Sequence, residues 1–566
     1  MPRPASSEPS AAAPWGRDLW WLAVLFGLLF AFRLGSYPLG AGDEGRYAEI
    51  PREMIASGDW VTPRLNGVVY FEKPPLMYWA VAGSMSRFGQ NEWAVRAVPA
   101  LFALGGVLLT YAAARRLHGR EAGIISAVVL GSSLLYFALA HIVLLDMAMA
   151  VLMSATLFCF ILGVRESPGL RRRWFFYGLY VSAALATLTK GLIGFLVTGA
   201  VMFLWLLVFN QWKRLRPLYL PTGLLLFLAV AGPWHVLAAL HNETWAYRYF
   251  VFEHWLRFTT PAASRPGPWY YYIGVILLGL IPWVGFLWPA LRDGLQGGWA
   301  ARAKHVDRWF LVTWVVFIFL FFSKSHSKLV PYILPVFPAL AVLIGAWLAQ
   351  VRAAGNPAPL RVGLRVFSFV CGMLAVALCM VVLRPTLVRG LDPAQALALR
   401  PMAFAMAGAL VAGGILAPAF ARLRGVGAAL TTMVVAMMVF QTVLLFAAPV
   451  LNKPSSKALA LMVKAKVQPG DRVVHYHAFF HEFTFYAGRV VDLVDYKDEI
   501  ELEEDAAARA SGRFINEAEF RHRWEGPVRL WVVARRRDTK ELFADPTFRY
   551  HLLGQTEDHY LFSNQP

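Results

Sequence analysis

The chain of 566 residues is short of charge. Asp, Glu, Lys and Arg supply 16% of it, the apolar set AVILMFWYC supplies 58%, and the mean hydropathy is +0.50. A soluble domain carries about 25% charged residues, and no soluble core hides so much apolar surface, which excludes a cytosolic enzyme and a disordered chain. Cysteine is scarce too. Cys159, Cys371 and Cys379 fall inside apolar runs without metal-ligand spacing, so neither a disulfide framework nor a zinc site is expected. The strings G-x-x-x-x-G-K-[ST] and D-x-D are missing, so nothing speaks for a nucleotide pyrophosphate held with a metal.

Positive charge is in excess, with 54 Lys and Arg against 35 Asp and Glu and a net charge of +19. Much of that excess sits in short loops between apolar runs (Arg115, Arg116, Arg120; Arg171, Arg172, Arg173; Lys213, Arg214, Arg216). There it reads as the positive-inside signal, and no nucleic-acid partner is expected.

Runs of about 20 apolar residues recur, each enough to cross a bilayer. Residues 1 to 14 form an Ala-, Ser- and Pro-rich tail, and the first run is Leu19 to Phe32, read as a retained span. The rest lie near 93–114, 121–140, 143–164, 174–189, 191–210, 218–240, 269–291, 309–323, 329–350, 366–383, 401–421 and 426–447, about thirteen spans in all. With the N-terminus inside, 21 loop cations face the cytoplasm. The opposite short loops hold six: Lys190, Lys324, Lys328, Arg384, Arg389 and Arg400. The expected organisation is a cytoplasmic tail (1–18), a transmembrane domain (19–448) with outer loops at about 38–91 and 241–268, and an outer domain (449–566). That last part alternates strand-like runs (Arg472 to Val474, Val490 to Val494, Val528 to Val533, Tyr560 to Phe562) with helical ones (Ser456 to Lys466, Asp498 to Ala508), the pattern of an α/β domain.

The first outer segment is dense in reactive side chains. Tyr47, Ile50, Met54 and Ile55 recur at helical spacing, which predicts a short amphipathic helix lying on the membrane surface, with Asp43 near its start and a kink at Pro51. Asp43 and Glu44 then point about 100° apart and do not share a proton; Asp43 reads equally as a plain helix cap. Arg46 and Lys73 flank it, and Lys190, Lys324 and Lys328 stand where spans emerge on the same side. Cations placed against the positive-inside bias call for an anionic partner such as a lipid phosphate, or else snorkel to ordinary headgroups. Asp146 is the sole acid of its run, a cap or a site residue. His475, His477 and His481 have a metal-like spacing but read as solvated on an exposed strand.

The run Asp43-Glu44-x-Arg46-Tyr47-Ala48-Glu49-Ile50-x-Arg52-Glu53-Met54, with Ser57-Gly58-Asp59-Trp60 and Tyr70-Phe71-Glu72-Lys73-Pro74, resembles the first periplasmic loop of the ArnT-type aminoarabinose transferases. These belong with the protein O-mannosyltransferase-like, GT-C fold glycosyltransferases. Leu145-Asp146, Thr189-Lys190-Gly191, Glu253-His254 with Arg257-Phe258, Pro268 to Tyr272, and Lys328-Leu329 with Tyr332 to Leu334 match in order, over about residues 19 to 350. The resemblance implies a polytopic α-helical membrane protein of the bacterial inner membrane with a C-terminal α/β domain. Its implied activity moves a sugar, 4-amino-4-deoxy-L-arabinose, from undecaprenyl phosphate to lipid A at the periplasmic face with inversion, as a monomer and without a metal or other cofactor. It implies that Asp43, with Glu44 beside it, is the catalytic position. Arg46, Lys73, Lys190, Arg257 and Tyr332 would surround the donor phosphate, and Tyr47, Tyr70, Glu72, Asp146, His254 and Lys328 would shape the sugar or acceptor cavity. Gly42 and Gly45 stand where Pro and Thr are common in enterobacterial members, and Ser325-His326-Ser327 interrupts a Lys-Gly-Lys found there, which leaves a relative using another sugar or acceptor open. A transporter or flippase would place its ionisable residues near the midplane on broken helices, whereas here they cluster at one face.

Overall fold

A computed structural model of the chain describes residues 15–40, 42–256, 265–302, 304–387, 391–451, 455–496 and 509–566, with the backbone alone at 252–256, 301 and 387. Among these residues eight helices are long and apolar enough to cross a bilayer, or ten when each of two bent pairs counts as one span. Three further helices, α1 (Trp15–Ala31), α8 (Leu170–Lys190) and α9 (Ile193–Phe209), occupy the remaining segments where the sequence predicts spans. The first apolar run is thus a bundle helix. Its Asp18 is buried and takes Arg120 at 2.7 Å, Tyr111 at 2.8 Å and Arg115 at 3.0 Å.

Two of the spans are broken. Helix α5 (Arg120–Ser132) turns by 65° into α6 (Leu134–Ala140), and Tyr271–Gly279 turns by 110° into Val284–Gly294 across Pro282, which has no N–H to continue a helix. A break inside a bilayer frees polar groups that lipid cannot satisfy, and here each break serves the other. The Leu134 N–H donates to the Ile281 carbonyl at 3.1 Å, and the Trp283 indole donates to Ser132 Oγ at 2.9 Å. Gln441 reaches in from Val426–Leu451 to donate to the Ser132 carbonyl at 2.9 Å. The middle of the bundle is held by α7 (Leu145–Arg165) and Val330–Ala353, each 89% buried, whereas Ala358–Leu383 is 22% buried and turns its apolar side outward.

The residues after 455 form a six-stranded sheet in the order β5-β4-β3-β6-β8-β7. Strands β3 (Arg472–Tyr476), β4 (Asp492–Val494), β5 (Phe514–Ile515) and β6 (Leu530–Arg535) run parallel; β8 (His559–Ser563) is antiparallel to β6, and β7 (His551–Gln555) to β8. Side chains alternate across the sheet. Val474, Tyr476, Val532 and Phe562 pack on one face with Phe520, Trp524 and Phe548. Val473, Trp531, Val533 and Leu561 pack on the other face against the helices Lys457–Lys466 and His481–Ala487. The helix expected at Asp498 to Ala508 lies outside the described residues.

That second face does not end within the C-terminal domain. Its core continues into Ile50 and Met54 of α2 (Asp43–Ser57), Leu65 of β1 (Arg64–Leu65), Val68 of β2 (Val68–Val69) and Tyr78 of α3 (Leu76–Phe88). The expectation that α2 lies on the membrane surface is therefore corrected. Its apolar side, with Tyr47, Ile50 and Met54, is covered by protein, and Ile55 alone of that set is exposed. A 3.6-residue apolar stripe says that a face is covered but not by what. Asn66-Gly67 closes the β1–β2 hairpin with φ of 55° and 73°, the left-handed pair such a turn demands. The Asn66 amide then locks the two parts together, donating to the Val491 carbonyl at 2.9 Å and accepting from its N–H at 2.8 Å.

Candidate active site

The first turn of α2 sends its two carboxylates to different fates. Glu44 points inward, where it is nearly inaccessible and accepts both Nε and a terminal nitrogen of Arg96 at 2.8 Å. Arg96, in α4 (Glu92–His118), is fully buried and spends its other N–H groups on the carbonyls of Leu34, Tyr37 and Pro38. Glu44 also accepts from the N–H of Gly40 at 2.7 Å and of Val143 at 3.3 Å. With its lone pairs so committed, Glu44 is a buttress; the expectation that it shares the catalytic position with Asp43 is corrected, because a carboxylate saturated in the interior has nothing left to offer a substrate.

Asp43 faces out, its side chain 41% exposed, and accepts from Arg46 at 3.0 Å. It is the first helical residue and not the cap: Gly42 stands at the cap position with φ of 84° and without a side chain. Arg46 also donates to the Tyr70 hydroxyl at 3.0 Å and stands 4.0 Å from Glu72. Burial works against its charge, but Tyr70, Tyr47, Glu72 and Asp43 outweigh that and hold it protonated, above the ordinary arginine range. Burial in turn holds the Tyr70 hydroxyl neutral. Lys73 caps the Glu72 carbonyl at 2.9 Å and lies 3.9 Å from its carboxylate.

A second nest lies at the end of α8. Lys190 reaches Asp146, in the first turn of α7, at 2.5 Å, and its ammonium sits 4.3 Å from the centre of the Tyr332 ring. Two contacts join it to the first. The Glu44–Val143 bond ties α2 to the segment that leads into Asp146, and Phe71, one residue before Glu72, shares a core with Leu188, within a turn of Lys190. Lys328 is turned onto its own loop, donating to the Ser325 carbonyl at 2.6 Å. Tyr47 belongs to the shared core beside Tyr78, with 8% exposure, and does not line an open cavity as expected. His254 lies on the π-helical stretch Tyr247–Leu256, and Arg257 lies outside the described residues.

Sequence reasoning missed Arg96, whose one signal was a lone cation near the end of an apolar run. It also misjudged the histidines. Strand β3 is central in the sheet, so His475 is buried with 0% exposure, and His481, at the start of the helix His481–Ala487, is buried with 2%. His477 alone is open; its ring nitrogen and carboxylate oxygens of Asp495 and Glu517 fall within 4.8 Å of one another, a spacing that suits a divalent cation, although Arg521 already holds Glu517 at 3.3 Å. Gly40, Gly42 and Gly45 spell G-x-G-x-x-G, but among the described residues no strand leads into it, so it is no dinucleotide fingerprint.

Residues 42–291 match the family model described as dolichyl-phosphate-mannose-protein mannosyltransferase. An undecaprenyl phosphate-alpha-4-amino-4-deoxy-L-arabinose arabinosyl transferase of Edwardsiella ictaluri is 33% identical over 366 residues, which cover 64% of this chain and 65% of the relative. The corresponding Aeromonas salmonicida protein is also 33% identical, over 61% of this chain and 62% of its own length. The chain thus aligns with somewhat under two thirds of those relatives. A solved structure extends the likeness to nearly the whole molecule: ArnT from Cupriavidus metallidurans bound to undecaprenyl phosphate superposes with a TM-score of 0.86 at 27% identity, covering 96% of this chain and 98% of that one. Over nearly its whole length the chain thus shares the fold of an ArnT-type GT-C protein. The same ArnT in its apo state superposes at 0.84. The C-terminal α/β domain falls inside that match, so it is part of the ArnT-type architecture and not an appended module.

Proposed function

We propose that this ArnT-type protein transfers 4-amino-4-deoxy-L-arabinose from undecaprenyl phosphate to a phosphate of lipid A, with inversion, at the periplasmic face of the bacterial inner membrane. The names of its relatives and the lipid held by the Cupriavidus ArnT support the donor. The observation that carries the reading is an exposed carboxylate, Asp43, held by a buried arginine in a group that includes Tyr70, Glu72 and Lys73, with Lys190, Asp146 and Tyr332 adjoining.

In this reading Arg46, Lys73 and Lys190, with Tyr332 and Arg257, hold the donor phosphate, while Tyr70, Glu72, Asp146, His254 and Lys328 border the sugar and acceptor. The bond from the anomeric carbon to the phosphate oxygen breaks as an acceptor oxygen attacks from the opposite face. Undecaprenyl phosphate departs as an already ionised group, and preorganised cations stabilise the charge that gathers on it. A lipid A phosphate is anionic at pH 7 and has no proton to lose, so Asp43 orients or steers the reactants; a hydroxyl acceptor would instead need it as general base. Gly42 and Gly45, which depart from the residues common in enterobacterial relatives, favour a second reading in which the same chemistry serves another sugar or acceptor.

Purified protein offered defined polyprenyl-phosphate sugars and lipid A, with products weighed by mass spectrometry, separates these readings. Added mass of one aminoarabinose on lipid A supports the first. Transfer of a different sugar, or to a different acceptor, selects the second, and no transfer from any polyprenyl-phosphate sugar would overturn both.

A further inference from the structure

The C-terminal domain meets the candidate active site at one narrow crossing. A Cβ added to Gly45 would stand 2.5 Å from the Glu482 backbone nitrogen and 3.1 Å from the His481 carbonyl carbon, so α2 and the His481–Ala487 helix touch backbone to backbone there. Arg46 follows Gly45 directly. Its terminal nitrogens are committed to Asp43 and Tyr70, but its Nε is buried and has no hydrogen-bond partner among the described residues. Across the crossing, His481 is 2% exposed and its Nδ1 is likewise buried without a partner among the described residues. Each unmet buried group bears its full desolvation cost, which a bond between the two would remove, and the Arg46 charge acts on the His481 ring. Burial, then the Arg46 charge, then His475 keep the His481 imidazole neutral, so one of its ring nitrogens is an acceptor.

We infer that His481 is a positioning residue: from the C-terminal domain, in the donor-bound protein, it takes up the Arg46 Nε–H left unpaired here and so fixes the plane of the guanidinium that holds Asp43 and meets the donor phosphate. An arginine pinned at Nε keeps its two terminal nitrogens forked toward their partners, whereas one free at Nε swivels about its last side-chain bond. The inference rests on the phosphate role of Arg46 proposed above. It makes the C-terminal domain a contributor to the site and not only a cover over it.

The test uses the full-length protein in nanodiscs, titrated with undecaprenyl phosphate and, as a phosphate-free control, undecaprenol. His481→Phe keeps a ring and loses the acceptor; it should weaken undecaprenyl phosphate binding by about 2- to 12-fold, the range for one hydrogen bond, with undecaprenol binding unchanged. His481→Asn, which keeps an acceptor near the Nδ1 position, should stay close to the native protein. In an Arg46→Lys background, which lacks the Nε–H, His481→Phe should have no further effect. Native affinity in His481→Phe, equal losses in the Phe and Asn variants, or an equal penalty in both Arg46 backgrounds would each overturn the inference. Should His481→Phe fail to fold, His481→Gln, with its acceptor displaced, takes its place in every arm. Arg46→Met is the control on the underlying reading: if it leaves undecaprenyl phosphate affinity unchanged, the phosphate role itself falls, whereas a loss there with none in the His481 variants removes only the role of His481.

Discussion

Replacing Glu44 by Gln should unfold the site without touching its chemistry. The substitution keeps the shape and removes one charge from a pair whose side chains are 8% and 0% exposed. All five N–H groups of Arg96 are spent, two on Glu44 and three on the carbonyls of Leu34, Tyr37 and Pro38. The glutamine side chain would accept from one of the first two and present an amide donor to the other, leaving a guanidinium buried without a counter-charge. Breaking a buried pair from one side costs about 3–5 kcal/mol, and the surviving carbonyl contacts argue for the lower end. Asp43→Asn is the matched control, since its carboxylate is half-exposed and caps nothing. In detergent, Glu44→Gln should lower the thermal midpoint by several degrees and lose sugar transfer in proportion to the folded fraction. Asp43→Asn should melt like the native protein and lose turnover by roughly 10² to 10⁴, the range for a positioned acid or base. A Glu44→Gln protein that melts normally yet transfers no sugar would refute the buttress and return Glu44 to the chemistry.

Asn66→Ala removes both bonds to Val491 and puts a Cβ-bearing residue of lesser tolerance at a φ of 55°; it should cost about 2–3 kcal/mol of docking between hairpin and C-terminal domain, seen as faster proteolytic release of that domain. His475 and His481 are kept neutral by burial, His475 down to about 3 and His481 well below the usual range, with His559 and Arg46 adding to it. Unfolded histidine binds its proton near pH 6.5, so docking stability is complete above that pH. It falls below it, by up to about 1.4 kcal/mol per pH unit for each ring; equal protease resistance at pH 5 and pH 7.5 would count against this. Cysteines placed at the exposed Ala56 and Arg549 should both react with an impermeant thiol reagent in intact spheroplasts, and reaction of only one would reverse the orientation of the tail.

The spans were legible because a bilayer imposes one demand, about 20 apolar residues, and the runs near 93–114 and 143–164 meet it in isolation. The alternation at Arg472 to Val474 and Val528 to Val533 likewise marked strands that the sheet contains. Partnerships across long separations were not legible. Glu44 and Arg96 are 52 residues apart, and nothing in either neighbourhood names the other. The stripe Tyr47, Ile50, Met54 was read as facing lipid because a lipid surface and a protein domain make the same demand on a helix face. His475 was read as solvated because two flanking parallel strands cannot be inferred from one strand's own residues.

The bond between Asn66 and Val491 spans 425 residues, and it lies in a core shared by the first loop and the last domain. A ribosome delivers these halves in order. Helix α2 is therefore made, inserted beside its neighbours and left with an apolar side uncovered while every later span is still being synthesised. It gains its cover only when the final strands have been made. A chain stopped before residue 456 would insert with its full set of spans and still lack the surface against which Asp43 and Arg46 are set. Completion of synthesis, and not insertion, is then the event that switches the site on.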